Sequence, residues 1–144
     1  MFLLDANALI ALGDRDHEHH GRVRAWFKAS AAGGWATCPI VENAFVRIVS
    51  HPSYPNRPGP PDRVRDLLAS MCLYPGHQFW PDGLSILDTR RTGPLEGVGS
   101  RDITDLYLLA LAVSRSARLA TLDTRIRSDA IPDGSRAQFV IPMK

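Results

Sequence analysis

Phe2-Leu3-Leu4-Asp5-Ala6-Asn7 is the stretch whose reading decides the fold. An apolar run ends abruptly in Asp5, and Ala8-Leu9-Ile10-Ala11-Leu12 follows with a helix-like composition. A short apolar run closed by a polar residue reads as a buried parallel strand, here one that delivers a carboxylate to its C-terminal end. In open α/β sheets that edge is where ligands bind. Asn7 suits the turn or the helix start and is placed to hydrogen-bond the carboxylate. From this stretch alone, Asp5 is equally well explained as a helix cap.

Working outward, residues 17–30 read as the next helix, with Val23, Trp26 and Phe27 on one face. His17, His19 and His20 stand at its start in a solvated-looking Asp/Glu/His run without metal-ligand spacing, so a packing or surface role reads better than ligation. After the Gly33-Gly34 break, residues 35–38 form the second strand, and Pro39 opens an amphipathic helix through Val41, Ala44, Phe45, Ile48 and Val49. Glu42 falls in its first turn, just past the end of a strand as Asp5 is, although a first-turn Glu also suits the helix dipole. The Pro-rich segment 52–61 is an exposed loop, 62–71 a helix, 78–80 a short third strand, 84–87 a further helical turn and 90–99 a loop.

Asp102-Ile103-Thr104-Asp105 opens the most informative helix, whose Leu106, Leu109, Ala110, Val113 and Ala117 form an apolar face. Capping accounts for Asp102. Asp105 brings a second negative charge beside it, which repels unless a cation sits nearby. Residues 118–122 read as a fourth strand that again ends in an acid, Asp123, and residues 137–141 as the last strand. Asp5, Glu42, Asp105 and Asp123 therefore each lie at a strand's C-terminal end or in the first turn of the following helix. In a parallel sheet those positions share one edge. Crowded carboxylates repel at neutral pH, and oxygen-only ligation is what hard ions such as Mg²⁺ or Mn²⁺ prefer.

Composition narrows the reading further. A chain of 144 residues with 44% apolar content can bury a core as a single domain spanning 1–144. Cys38 and Cys72 have no metal-type spacing and read as reduced core residues. No apolar run is long enough to span a membrane, and Asp5 interrupts what would be a leader's hydrophobic centre, so the expected location is the cytoplasm. The net charge of +2 is carried by 15 Arg against only Lys28 and Lys144. Arg matches phosphate bidentately, so such a surface suits RNA; an arginine-rich codon bias would give the same count.

Leu4-Asp5-Ala6-Asn7, Glu42-Asn43-Ala44-Phe45-Val46-Arg47-Ile48 with His51-Pro52, Ile103-Thr104-Asp105-Leu106-Tyr107-Leu108-Leu109-Ala110-Leu111-Ala112, and Leu119-Ala120-Thr121-Leu122-Asp123 together resemble the PIN domain, and within it the VapC-type toxins of bacterial toxin–antitoxin pairs. The resemblance spans nearly the whole chain. It implies a three-layer α/β/α sandwich with a mainly parallel sheet and a Mg²⁺- or Mn²⁺-dependent endoribonuclease using one or two ions. Asp5, Glu42, Asp105 and Asp123 match the family's acidic positions, and Asn7 and Thr121 its polar accessory positions. Asp102 has no fixed counterpart and stays a cap or an outer contact. After Asp123 the family often carries an Arg and an aromatic, where this chain has Thr124, Arg125 and Ile126. Arg90, Arg91, Arg101, Arg125 and Arg127 are the candidate phosphate contacts. The implied partners are an RNA substrate of the tRNA or rRNA class, a VapB-like antitoxin and a second copy of the chain. One rival is a phosphatase with an aspartyl nucleophile, but it needs a second Asp where Asn7 stands. The other, a non-catalytic RNA-binding module, would be expected to have a broken acidic set.

Overall fold

Strand β1 (Phe2–Leu4) is short, apolar and central, and the rest of the sheet is laid down on both sides of it. The computed structural model describes residues 1–143. Their order in the sheet is β3-β2-β1-β4-β5, with β2 (Trp35–Thr37), β3 (His77–Phe79), β4 (Arg118–Thr121) and β5 (Gln138–Val140), and every pairing is parallel. The chain runs outward from β1 to β3, then returns to the far side of β1 to add β4 and β5. Strand order thus reverses between β1 and β4, and the crevice beyond their C-terminal ends is the place where such sheets bind ligands.

Helices α1 (Ala6–Gly13), α2 (His20–Ser30), α3 (Pro39–Val49) and α4 (Pro61–Met71) pack on one another on the sheet face that carries Phe2 and Trp35. Phe2 meets Trp26 edge-on and Trp35 meets Phe27 likewise, which seats α2 there. On the other face α6 (Ile103–Ser114) lies between α5 (Thr89–Thr92) and α7 (Gly134–Ala137), completing the three layers. The seven residues from Leu106 to Ala112 are all buried, so α6 is enclosed on more than the one face its spacing implies. Tyr107 belongs to the extra face, where its hydroxyl donates to the Leu84 carbonyl at 2.7 Å. Each fully buried leucine contributes about 1.5–3 kcal/mol of transfer free energy, and Leu106, Leu108, Leu109 and Leu111 make α6 the main hydrophobic clamp on this side.

Several boundaries move from the sequence reading for local reasons. The second helix starts at His20 rather than at residue 17, because the His17 ring accepts the His19 N–H at 3.0 Å and holds a turn there. Residues 84–87 are not helical. The helical turn comes instead at α5, inside the expected loop, where the Asp88 side chain caps it by accepting the Arg90 N–H. The last strand begins at Gln138, since Ala137 still belongs to α7. Cys38 is buried and Cys72 partly so, and both are free thiols.

Candidate active site

Asp5 is almost fully buried at the end of β1, and both of its oxygens are engaged. Oδ1 accepts the Ala6 N–H at 2.7 Å, capping α1, and Oδ2 accepts the Thr121 hydroxyl at 2.7 Å. Cap and edge carboxylate, alternatives in the sequence, are here the same group. Thr121 ends β4; because Leu3 pairs with Leu119, alternation puts Thr121 on Asp5's face of the sheet. The Thr121 oxygen in turn accepts from Asn7 Nδ2 at 3.2 Å and from the Asp123 N–H at 3.1 Å, and Asn7 Oδ1 accepts the Leu122 N–H at 3.0 Å. Asn7 therefore reaches across to β4, not back to the Asp5 carboxylate. Its work is to lock the turn that carries Asp123 against β1.

Asp105 approaches the same crevice from the first turn of α6. Burial, then the charges of Asp5, Asp123 and Asp102, push its carboxyl from an ordinary 3.8 up to about 6. Asp5 is also raised, chiefly by burial; its hydrogen bonds to Thr121 and Ala6 pull the other way, and Asp123 adds to the rise. Asp102 makes no capping hydrogen bond, since its own backbone is already helical in a tight turn over Ser100–Asp102. It acts on Asp105 through charge alone. Arg101, Asp102, Asp105, Asp123, Arg125 and Arg127 line a cavity of about 380 Å³. Arg125 reaches Asp123 Oδ1 at 3.6 Å, but among the described residues no ion pair includes Asp5 or Asp105. An all-oxygen set in which Asp5 is buried and Asp105 half-buried, neither with a paired cation, fits a hard divalent ion well.

Glu42 is engaged differently. Phe2 pairs with Trp35, so alternation turns Thr37 to the sheet face opposite Asp5. The Thr37 hydroxyl donates to Glu42 Oε2 at 2.6 Å, and the same oxygen lies 2.8 Å from His77 Nε2. Glu42 is not among the charges that raise Asp5 or Asp105. Arg91 also lies apart from the acids: it pairs with Asp88 and borders a cavity with Ser114 and Arg115, at the far end of α6 from Asp105. Arg90 sits beside it on α5, exposed.

Two residues that the sequence reading left on the surface come close to the acids. His17 and His19 share a cavity of about 420 Å³ with Asn7, Asp123 and Arg125. Their alternate spacing after the Asp14-Arg15-Asp16 turn is the only sequence signal for this, and it does not say which way the turn points. A larger cavity, about 580 Å³, lies elsewhere between α1, α2 and α4; Arg15, Arg24 and Lys28 line it and no acid does, so it is not the chemical site.

Comparison with known proteins adds to this geometry. The PIN domain family matches residues 2–130. Ribonuclease VapC44 of Mycobacterium tuberculosis is 42% identical over 134 residues, covering 93% of this chain and 94% of its own length. Ribonuclease VapC38 of the same species is 44% identical over 127 residues, covering 88% and 87%, and Ribonuclease VapC39 is 39% identical over 129 residues, covering 89% and 92%. Fold, carboxylate edge and relatives agree: the chain belongs to the PIN domain family, among its VapC-type members.

Proposed function

We infer that this chain is a metal-dependent endoribonuclease, the toxin of a toxin–antitoxin pair, which hydrolyses RNA phosphodiester bonds at the edge formed by Asp5, Asp105 and Asp123. The observation that carries the reading is the convergence of these carboxylates where strand order reverses, with Asp5 and Asp105 partly desolvated and outside every ion pair among the described residues. A Mg²⁺ or Mn²⁺ ion held by them, as one ion or two, would lower the pKa of a water and offset charge on the reacting phosphate. Thr121 and the Ala6 N–H fix the orientation of Asp5, so its carboxylate needs no rearrangement to serve as a ligand. Asp105 holds a proton more readily than an ordinary carboxyl and must release it to ligate, which couples metal affinity to pH. Glu42 completes the acidic set by leaving Thr37 and turning toward the edge. Arg101, Arg125 and Arg127 border the cavity and are placed to grip phosphate, while Asp102 adds negative charge just outside the ligands.

The substrate proposed is tRNA or rRNA in the cytoplasm, and the partners are a VapB-like antitoxin that covers the acidic edge and a second copy of the toxin. The aspartyl-phosphatase alternative is disfavoured by Asn7, whose amide is committed to Thr121 and Leu122. The test is cleavage of labelled RNA with Mg²⁺, Mn²⁺ or EDTA, using wild type and Asp5→Asn. Cleavage that persists in EDTA, or in the variant, overturns the reading. Light scattering and co-expression with the product of the neighbouring gene check the partners.

A further inference from the structure

Glu42, as it sits in the structure, stands beside two chemically capable side chains that have no assigned use. Glu42 in the first turn of α3, Cys72 at the C-terminal cap of α4 and His77 at the start of β3 each offer one donor atom, and these atoms lie within 4.8 Å of one another. We propose that these three residues form a second metal site, for a borderline-soft divalent cation of the Zn²⁺ type. A thiolate, an imidazole and a carboxylate together favour zinc over magnesium, which prefers oxygen alone. Three protein donors with water in the fourth position is a common zinc arrangement.

The geometry is close to what the ion needs. Zinc bonds of about 2.0–2.3 Å put neighbouring tetrahedral donors roughly 3.5 Å apart, so three atoms within 4.8 Å of one another need close by at most about 1.3 Å. Their elements are held together, since α3 packs on α4 and β3 pairs with β2. Two supports orient the donors. The Trp35 ring lies 4.6 Å from the His77 ring, and the fully buried Thr37 hydroxyl touches both Glu42 and His77. Its single proton goes to Glu42, so it accepts from His77 Nε2–H and leaves the unprotonated Nδ1 as the ring nitrogen that would bind the ion; outer contacts of this kind commonly fix the ligands of a metal. Among the described residues no ion pair engages Glu42, so an incoming cation meets an uncompensated carboxylate. Binding forms a metal–sulfur bond and releases the Cys72 proton to solvent.

The site also bears on the nuclease, an extension that rests on the proposed function: a soft ion holding Glu42 against Cys72 and His77 withholds it from the magnesium edge. Cobalt(II) is the probe for the site itself. Titrated into the metal-free protein, it should produce a sulfur-to-cobalt charge-transfer band and tetrahedral visible bands. Cys72→Ser should abolish the charge-transfer band, and His77→Ala should weaken cobalt binding at least tenfold, with circular dichroism confirming that both variants are folded. No band in wild type, or an undiminished band in Cys72→Ser, overturns the proposal whatever the nuclease does. RNA cleavage in Mg²⁺ is then assayed with added Zn²⁺. Inhibition of wild type that is relieved in Cys72→Ser supports the link to Glu42, and equal inhibition of both refutes the link while leaving the spectroscopic result to decide the site.

Discussion

Replacing Asp105 by Asn separates a metal ligand from an ordinary helix-end acid. In the metal-free protein the Asp105 carboxyl is raised from 3.8 to about 6. That is roughly two pKa units, or about 3 kcal/mol if nothing screened it. The side chain is only half-buried and solvent screens it, so about 1 kcal/mol is the realistic effect. The sign follows from proton linkage. A raised carboxyl pKa means that the folded chain binds the proton more tightly than the unfolded chain, so this group costs stability as pH rises from 3.8 through about 6, and costs nothing below that window. Asp105→Asn removes the cost. In EDTA at pH 7.5 the variant should melt about 3 °C above wild type, and at pH near 4 the two should converge. If Asp105 is a ligand, adding Mg²⁺ should reverse the order, because an ion at 100 times its dissociation constant would stabilise wild type by about 2.7 kcal/mol and the variant by much less. Thermal melts across pH, with and without Mg²⁺, run beside an RNA cleavage assay, read all of this. A variant that cleaves RNA normally, or that melts lower than wild type in EDTA at pH 7.5, refutes the reasoning.

Thr121→Ala removes the hydroxyl that donates to buried Asp5 and accepts from Asn7 and Asp123; a loss of about 1.5–3 kcal/mol is expected in urea unfolding, with Thr121→Ser restoring most of it. Arg101→Ala, Arg125→Ala and Arg127→Ala should each weaken binding of an uncleavable RNA and lower the salt slope by about 0.7, whereas Arg91→Ala, on a different cavity, should leave both unchanged. Gly93→Ala places a methyl group 2.2 Å from the Ala130 carbonyl at a φ of +71°. The conformation alone costs about 1–2 kcal/mol, so a clear drop in Tm is expected and an unchanged Tm would contradict the described packing of α5.

Which parts of the site could be read in advance follows from what fixes each side chain. Asp5 directly follows β1, Asp123 comes two residues after β4 and Asp105 opens a strongly apolar helix, so backbone placement alone brings them to one edge. Glu42 differs because a first-turn residue can swing to either side of its strand. Its partners Thr37 and His77 are 40 residues apart in sequence and meet only because β3 pairs with β2. Periodicity locates a Cα; it does not choose a rotamer. Arg91 reads with the acids in sequence because four residues of α5 are too few to show a period, whereas its ion pair with Asp88 holds it at a different cavity. His17 and His19 were hidden for a related reason: the turn before α2 is held by a ring-to-backbone hydrogen bond that composition does not reveal.

The bond between Thr121 and Asp5 joins residues 116 positions apart, so the carboxylate edge is stitched from segments far apart in the chain. On a ribosome adding about 5–20 residues per second, Asp5 waits roughly 6–23 s before Thr121 is made. Until then β1 lacks its β4 neighbour, and Asp123, which shares the edge, has not been synthesised. A chain ended at Ser116 should therefore bind neither Mg²⁺ nor RNA in the manner of the whole protein. Late assembly of this kind means that the carboxylate edge is complete only once β4 and the turn after it have been made.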